Sequence, residues 1–86
     1  TGDEISQIKE DLLYLSDVIP DTTQTVTMLG GKVTQIIHAS NGTTVRTDTF
    51  TYGSGTITEV RTLASGATLT IVTDTSTLDV TTTYSK

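Results

Sequence analysis

The sequence predicts an α+β fold in which an N-terminal coiled-coil helix precedes a small antiparallel β-meander domain, and three chains form an intertwined homotrimer. Three observations support this prediction. Apolar residues near the start of the chain repeat at alternating spacings of three and four, a proline ends that pattern, and threonine-rich segments divided by turn signals follow. The expected units are a helix over residues 1–20 and a β domain over residues 21–86.

The expected helix begins at the capping box Thr1–Glu4 and ends before Pro20, which cannot donate the next helical hydrogen bond. Its a and d positions form the predicted trimer seam: Ile5, Ile8, Leu12, Leu15 and Ile19. Isoleucine at both positions of the first heptad favours three strands over two. An amphipathic helix packed on the chain's own sheet is the alternative, because Leu13, Tyr14 and Val18 widen the apolar stripe.

The remainder of the chain has the composition of β-strands. It contains nearly all of the 22 threonines, and β-branched residues favour strands. Turn signals, of which Asn41-Gly42 is the strongest, separate six candidate strands at residues 24–29, 32–39, 43–52, 56–64, 67–73 and 77–84. Short turns at even spacing predict an antiparallel meander.

Two details of this β region leave alternatives open. Val45 and Phe50 fall on opposite faces of one strand, which indicates either a β-bulge or partial burial of both faces. Rows of exposed threonine are typical of strands that need high β-propensity but must not aggregate. The alternative is that a row of threonines binds ice or a glycan.

Composition argues against several classes of function. The net charge of −5 lies on residues 1–21, and a basic patch is missing, so we expect neither nucleic acid nor an anionic membrane as partner. No apolar run is long enough to span a bilayer. The chain has no cysteine and a single histidine, His38, so we expect no metal site, no cofactor and no catalytic residues.

One strand carries a possible ligand face. Arg46, Asp48, Phe50 and Tyr52 alternate along residues 43–52 and so share one side of that strand. Mixed charges and aromatic rings on one surface are typical of recognition sites. A glycan- or protein-binding module is therefore the alternative to a purely structural role.

The combination of a short a/d helix, a proline break and threonine-rich hairpins such as residues 47–60 resembles segments of bacteriophage fibre and other virion appendage proteins. Residues 50–66 also resemble YD repeats, although Gly53 rather than aspartate follows the tyrosine. The resemblance implies a trimeric, enzymatically inert module in the virion, which contacts other virion proteins or a host surface receptor. The alternative location is extracellular or on a cell surface, as a monomeric α+β domain of a larger bacterial surface protein.

Overall fold

A computed structural model describes residues 13–16 and 19–86 of the chain. Six strands follow one another in this part: β1 (Thr23–Leu29), β2 (Lys32–Ser40), β3 (Thr43–Tyr52), β4 (Thr56–Leu63), β5 (Thr68–Asp74) and β6 (Val80–Ser85). Each strand pairs antiparallel with its neighbour in sequence, so the sheet order is β1-β2-β3-β4-β5-β6. The described residues therefore form an all-β antiparallel meander.

The predicted fold class, a coiled-coil helix joined to a β domain, is wrong. Within the described residues no helix is present as an element, and only Leu13 and Tyr14 have helical backbone geometry. Three of the predicted seam positions, Ile5, Ile8 and Leu12, lie outside the described residues.

The other two seam positions are buried inside the single chain. Leu15 is 1% exposed and Ile19 is 4% exposed. Leu15 packs against Leu63 and Ala67 of its own sheet. An a/d spacing is shared by a helix that faces a partner helix and by a segment that packs on its own domain, which is why the pattern did not separate the two cases.

The six strands predicted from the turn signals are present, with ends that differ from the prediction by three residues at most. Asn41 and Gly42 have φ values of 51° and 80°, which are those of a type I′ hairpin. Gly30 and Gly31 adopt the same conformation, with φ values of 60° and 79°. Both turns have the backbone twist that joins two antiparallel strands tightly.

The register divides the side chains between two faces of the sheet. We call the first the inner face, because Leu15 docks on it. Its members on the central strands β3 and β4 are Arg46, Asp48, Phe50, Tyr52, Ile57, Glu59, Arg61 and Leu63. The opposite side, the threonine face, carries Thr47, Thr49, Thr51, Thr58, Val60 and Thr62 on the same strands.

The core of the described residues is small and lies at one end of the inner face. The buried apolar residues are Leu15, Ile19, Leu63 and Ala67. Tyr14, Leu69 and Tyr84 are partly buried and pack against Leu15, Leu63 and Ala67. Toward the other end and along the edges the inner face is open, since Val26, Met28 and Val80 are each at least half exposed.

Candidate functional site

A cluster of buried polar side chains lies beside this core, on the inner face. His38, Arg46 and Asp48 are each 2% exposed, and Arg61 is 9% exposed. A β-bulge assembles the cluster, because the register between β2 and β3 shifts between His38 and Ala39. The shift places Arg46 opposite His38, while Asp48 lies opposite Arg61 on the other neighbouring strand.

Arg46 and Asp48 form the centre of the cluster. Arg46 Nη2 donates to Asp48 Oδ2 at 3.0 Å, and Arg46 Nε lies 2.8 Å from Asp48 Oδ1 in a second ion-pair contact. The N–H direction of that second contact is not aligned as a hydrogen bond. A two-point contact between guanidinium and carboxylate is among the stronger charged pairs when it is shielded from water.

His38 completes the pair on the β2 side. Its Nε2 atom lies 2.9 Å from Asp48 Oδ2 and 3.1 Å from Arg46 Nη2. We assign the tautomer with the proton on Nε2, because a lone pair there would face the carboxylate. His38 Nδ1 has no hydrogen-bond partner among the described residues.

The two arginines hold the segment that precedes the sheet. Arg46 Nη1 donates to the carbonyl oxygens of Tyr14, at 2.8 Å, and Ser16, at 2.5 Å. Arg61 Nη1 donates to the intervening carbonyl of Leu15 at 2.7 Å. Three consecutive carbonyls are thus bound by two buried cations, and we call this arrangement the arginine clamp.

A carboxylate also supports the second arginine. Arg61 Nε lies 2.6 Å from Glu59 Oε2, on the same strand and the same face. Each clamp arginine therefore has one acidic partner two residues away along its strand, Asp48 for Arg46 and Glu59 for Arg61. This pairing lets two cations be buried without leaving an uncompensated charge.

The cluster binds the segment that precedes the sheet through hydrogen bonds to its backbone carbonyls. The imidazole of His38 contacts a carboxylate, as a general base would, but its other nitrogen meets no hydroxyl in the described part of the chain. Among the described residues no group of three or more histidine, aspartate or glutamate side chains could hold a metal ion. The geometry instead fixes where residues 14–16 lie on the sheet.

The predicted ligand face is divided by this arrangement. Arg46 and Asp48 are buried beneath the docked segment. Phe50 is half-buried, and Tyr52 is 37% exposed. The Tyr52 hydroxyl donates to the Val33 carbonyl at 2.8 Å, so of the four residues only the two aromatic ones reach the surface.

A separate polar contact closes the loop between β5 and β6. Asp74 Oδ1 accepts hydrogen bonds from the backbone N–H groups of Thr77, at 3.1 Å, and Ser76, at 2.8 Å. The bonds from Thr77 and then Ser76 lower the pKa of the Asp74 carboxyl below its usual value of 3.8. Aspartate side chains commonly stabilise turns in this way, and Asp74 has that role here.

Sequence reasoning did not identify the clamp. Arg61 and Glu59 were not singled out, and His38 was considered only as a metal ligand or catalytic residue, neither of which was expected. The turn at residues 41–42 carried part of the signal, because a two-residue hairpin sets which residues of β2 and β3 face each other. Val45 is the extra residue of the bulge. In a hairpin without this bulge, His38 would pair with Val45, and Arg46 would lie on the other face of the sheet.

Comparison with known proteins adds no relative. No family model matches the chain, and neither a curated protein nor a solved structure is significantly similar to it. In the part of the chain that the structure describes, we find no helix of the length and apolarity needed to cross a membrane.

Proposed function

We propose that the chain is a structural module of a phage fibre or other virion appendage, which acts in assembly or attachment as a homotrimer. One observation carries this proposal: the described residues form a single-layer sheet whose inner face is covered at one end only. The uncovered part of this face is the surface through which three chains would associate.

The open part of the inner face carries several apolar side chains, next to the polar residues Gln24, Thr73 and Thr82. Val26 is 50% exposed, Met28 58% and Val80 59%. Ile57 and Ile71, farther toward the middle of the sheet, are only half-buried. Neighbouring apolar side chains that remain in contact with water typically mark an interaction surface.

Self-association would cover this face without a second kind of protein. A β-sheet needs a second layer on its apolar side, and a chain of this size has little material to provide one. Three sheets that turn their inner faces toward a common axis would each provide the layer for the others. The threonine faces would then point outward, where hydroxyl groups are hydrated and β-branched side chains maintain the strands.

The arginine clamp fixes the position of residues 14–16 relative to the sheet. It fixes the backbone of Tyr14, Leu15 and Ser16 on one end of the sheet through buried charged hydrogen bonds. Residues 14–16 therefore enter the sheet at one fixed end. A fixed entry is what a repeating or terminal segment of a fibre requires.

The proposal is tested by the solution mass of the chain, measured by light scattering on a size-exclusion column. We expect the mass of three chains. Val26→Lys, which places a charge on the open inner face near its edge, is expected to yield single chains. Leu78→Lys is the matched control, because Leu78 is 75% exposed and lies in the β5–β6 loop, so it should leave the mass unchanged.

Far-UV circular dichroism of both variants checks that the sheet is intact. A single-chain mass for the unmodified protein over the micromolar range would contradict the proposal. So would a trimer that Val26→Lys leaves unaffected, because the open inner face would then lie outside the interface.

A further inference from the structure

The two outer strands of the sheet lack charged residues and proline, which normally help to prevent edge-to-edge pairing, and the one irregularity is a register shift of β1 against β2 between Thr27 and Met28. Strand β1 reads TQTVTML and strand β6 reads VTTTYS, so neither contains a charged residue or a proline. Both are rich in β-branched residues, and β1 is exposed along its whole length. Protected edges usually carry lysine, proline or a short strand, and an edge without them is a template for another strand.

The directions of these two strands fit each other. The meander has six strands that alternate in direction, so β1 and β6 run in opposite directions. If a second copy continues the sheet beyond β6, its β1 strand lies antiparallel to β6. The alternation of the meander then passes from one copy to the next without interruption.

The faces of the two strands also match. Val26 and Met28 of β1 share the inner face with Val80 of β6. Thr27 and Thr83 end one row across the sheet on the threonine face. A continued sheet would therefore place Val26 and Met28 on the same side as Val80, together with the polar residues Gln24 and Thr82, and would extend the threonine face with threonines.

We propose that β6 of one copy pairs antiparallel with β1 of the next copy, head to tail, and that this pairing closes a ring of three sheets. This inference rests on the proposed function and names its interface. A head-to-tail contact uses both free edges with one type of interface, and it forms a closed assembly when the rotation between copies completes a circle. Twofold pairing of β1 with β1, or of β6 with β6, would leave one edge of each copy open.

The chain has no cysteine, so pairs of single-cysteine variants can test this arrangement directly. Thr83→Cys is mixed in turn with Thr23→Cys, Thr25→Cys and Thr27→Cys, refolded together and oxidised. Directly opposed residues of an antiparallel pair have Cβ atoms about 4.5–5.5 Å apart, close to what a disulfide needs. We expect a disulfide-linked dimer in one of the three mixtures and none in any variant alone.

Thr49→Cys mixed with Thr83→Cys is the matched control, because Thr49 lies on the threonine face in the middle of the sheet. It should give no linked dimer. The double variant with cysteines at the reacting β1 position and at Thr83 should give covalent species that stop at three chains on a non-reducing gel.

The outcomes separate this inference from the proposed function. A linked dimer formed by one variant alone, in a protein with the mass of three chains, would overturn head-to-tail pairing and leave the trimeric module standing. The same trimer mass without a linked dimer in any mixture would also overturn it. A single-chain mass of the unmodified protein would overturn both proposals.

Discussion

Replacing Arg46 with methionine removes the centre of the arginine clamp and should destabilise the protein strongly. The guanidinium is 2% exposed, pairs with Asp48 and donates to the carbonyls of Tyr14 and Ser16. Methionine fills most of the space of the arginine stem, so the loss is mainly that of charge and donors. Removing one partner of a buried ion pair typically costs about 3–5 kcal/mol, against a total stability of about 5–15 kcal/mol for a small domain.

Urea unfolding followed by far-UV circular dichroism at a fixed chain concentration measures this loss. With a slope of about 1–3 kcal/mol per molar urea, the midpoint should fall by at least about 1 M. Lys32→Met is the matched control, because it removes an exposed cation that lies 5.0 Å from the centre of the Tyr52 ring. We expect it to cost no more than about 1 kcal/mol.

The double variant Arg46→Met/Asp48→Leu sharpens the argument. It removes both charges, so no uncompensated carboxylate stays buried, and it should be less destabilising than Arg46→Met alone. An Arg46→Met variant whose free energy of unfolding lies within about 1 kcal/mol of that of the unmodified protein would contradict this prediction. The clamp would then contribute no net stability.

Three further substitutions test the core, a turn and a loop. Leu63→Ala, at a site 6% exposed, should cost about 2–5 kcal/mol in urea unfolding, and a smaller loss would mean that the small core is not the main apolar contact. Gly42→Ala should cost about 1–2 kcal/mol in thermal unfolding, because φ is 80° there, and an unchanged melting temperature would contradict the type I′ turn. The pKa of Asp74 is lower in the folded protein than in the unfolded chain, so its contribution to stability is fully present above the usual value of 3.8 and is lost as pH falls through the folded pKa. Asp74→Asn should remove that part of the acid dependence of the melting temperature, and a pKa of the Asp74 carboxyl at or above 3.8 in an NMR titration would contradict the two backbone hydrogen bonds.

The strands could be predicted from the sequence because their ends are encoded locally. Gly30-Gly31 and Asn41-Gly42 occupy positive φ values that other residues rarely adopt, so the turns were recognisable without tertiary information. Short turns between β-branched segments then leave an antiparallel meander as the natural topology.

The arginine clamp could not be predicted because it depends on a one-residue shift. A β-bulge at Val45 changes the partner of His38 from Val45 to Arg46 and moves the arginine to the same face. The positions of Val45 and Phe50 indicated either a bulge in this strand or partial burial of both of its faces. They did not indicate which residue would be bulged. Arg46 and Asp48 were therefore interpreted as exposed charges.

Packing of residues 14–16 on the chain's own sheet was predicted only as the alternative, for a different reason. Leu15 and Ile19 fit a coiled-coil seam and a contact with the chain's own sheet equally well, because both need apolar residues every three or four positions. The deciding contacts, from Arg46 and Arg61 to backbone carbonyls, involve the main chain of the segment. No side-chain pattern reports which main-chain groups will be bound.

Residue-level amide hydrogen exchange in β1 and β6 tests the central claim, that copies of the chain complete one another's sheets at these edges. In a single chain, amide groups along an edge strand point alternately toward the neighbouring strand and toward water, so every second amide should exchange rapidly. In the proposed assembly both sets are hydrogen-bonded. We predict continuous protection over the part of β1 (Thr23–Leu29) that faces β6 (Val80–Ser85) of the next copy, and over the matching part of β6. Protection that alternates from residue to residue throughout both strands would contradict this pairing.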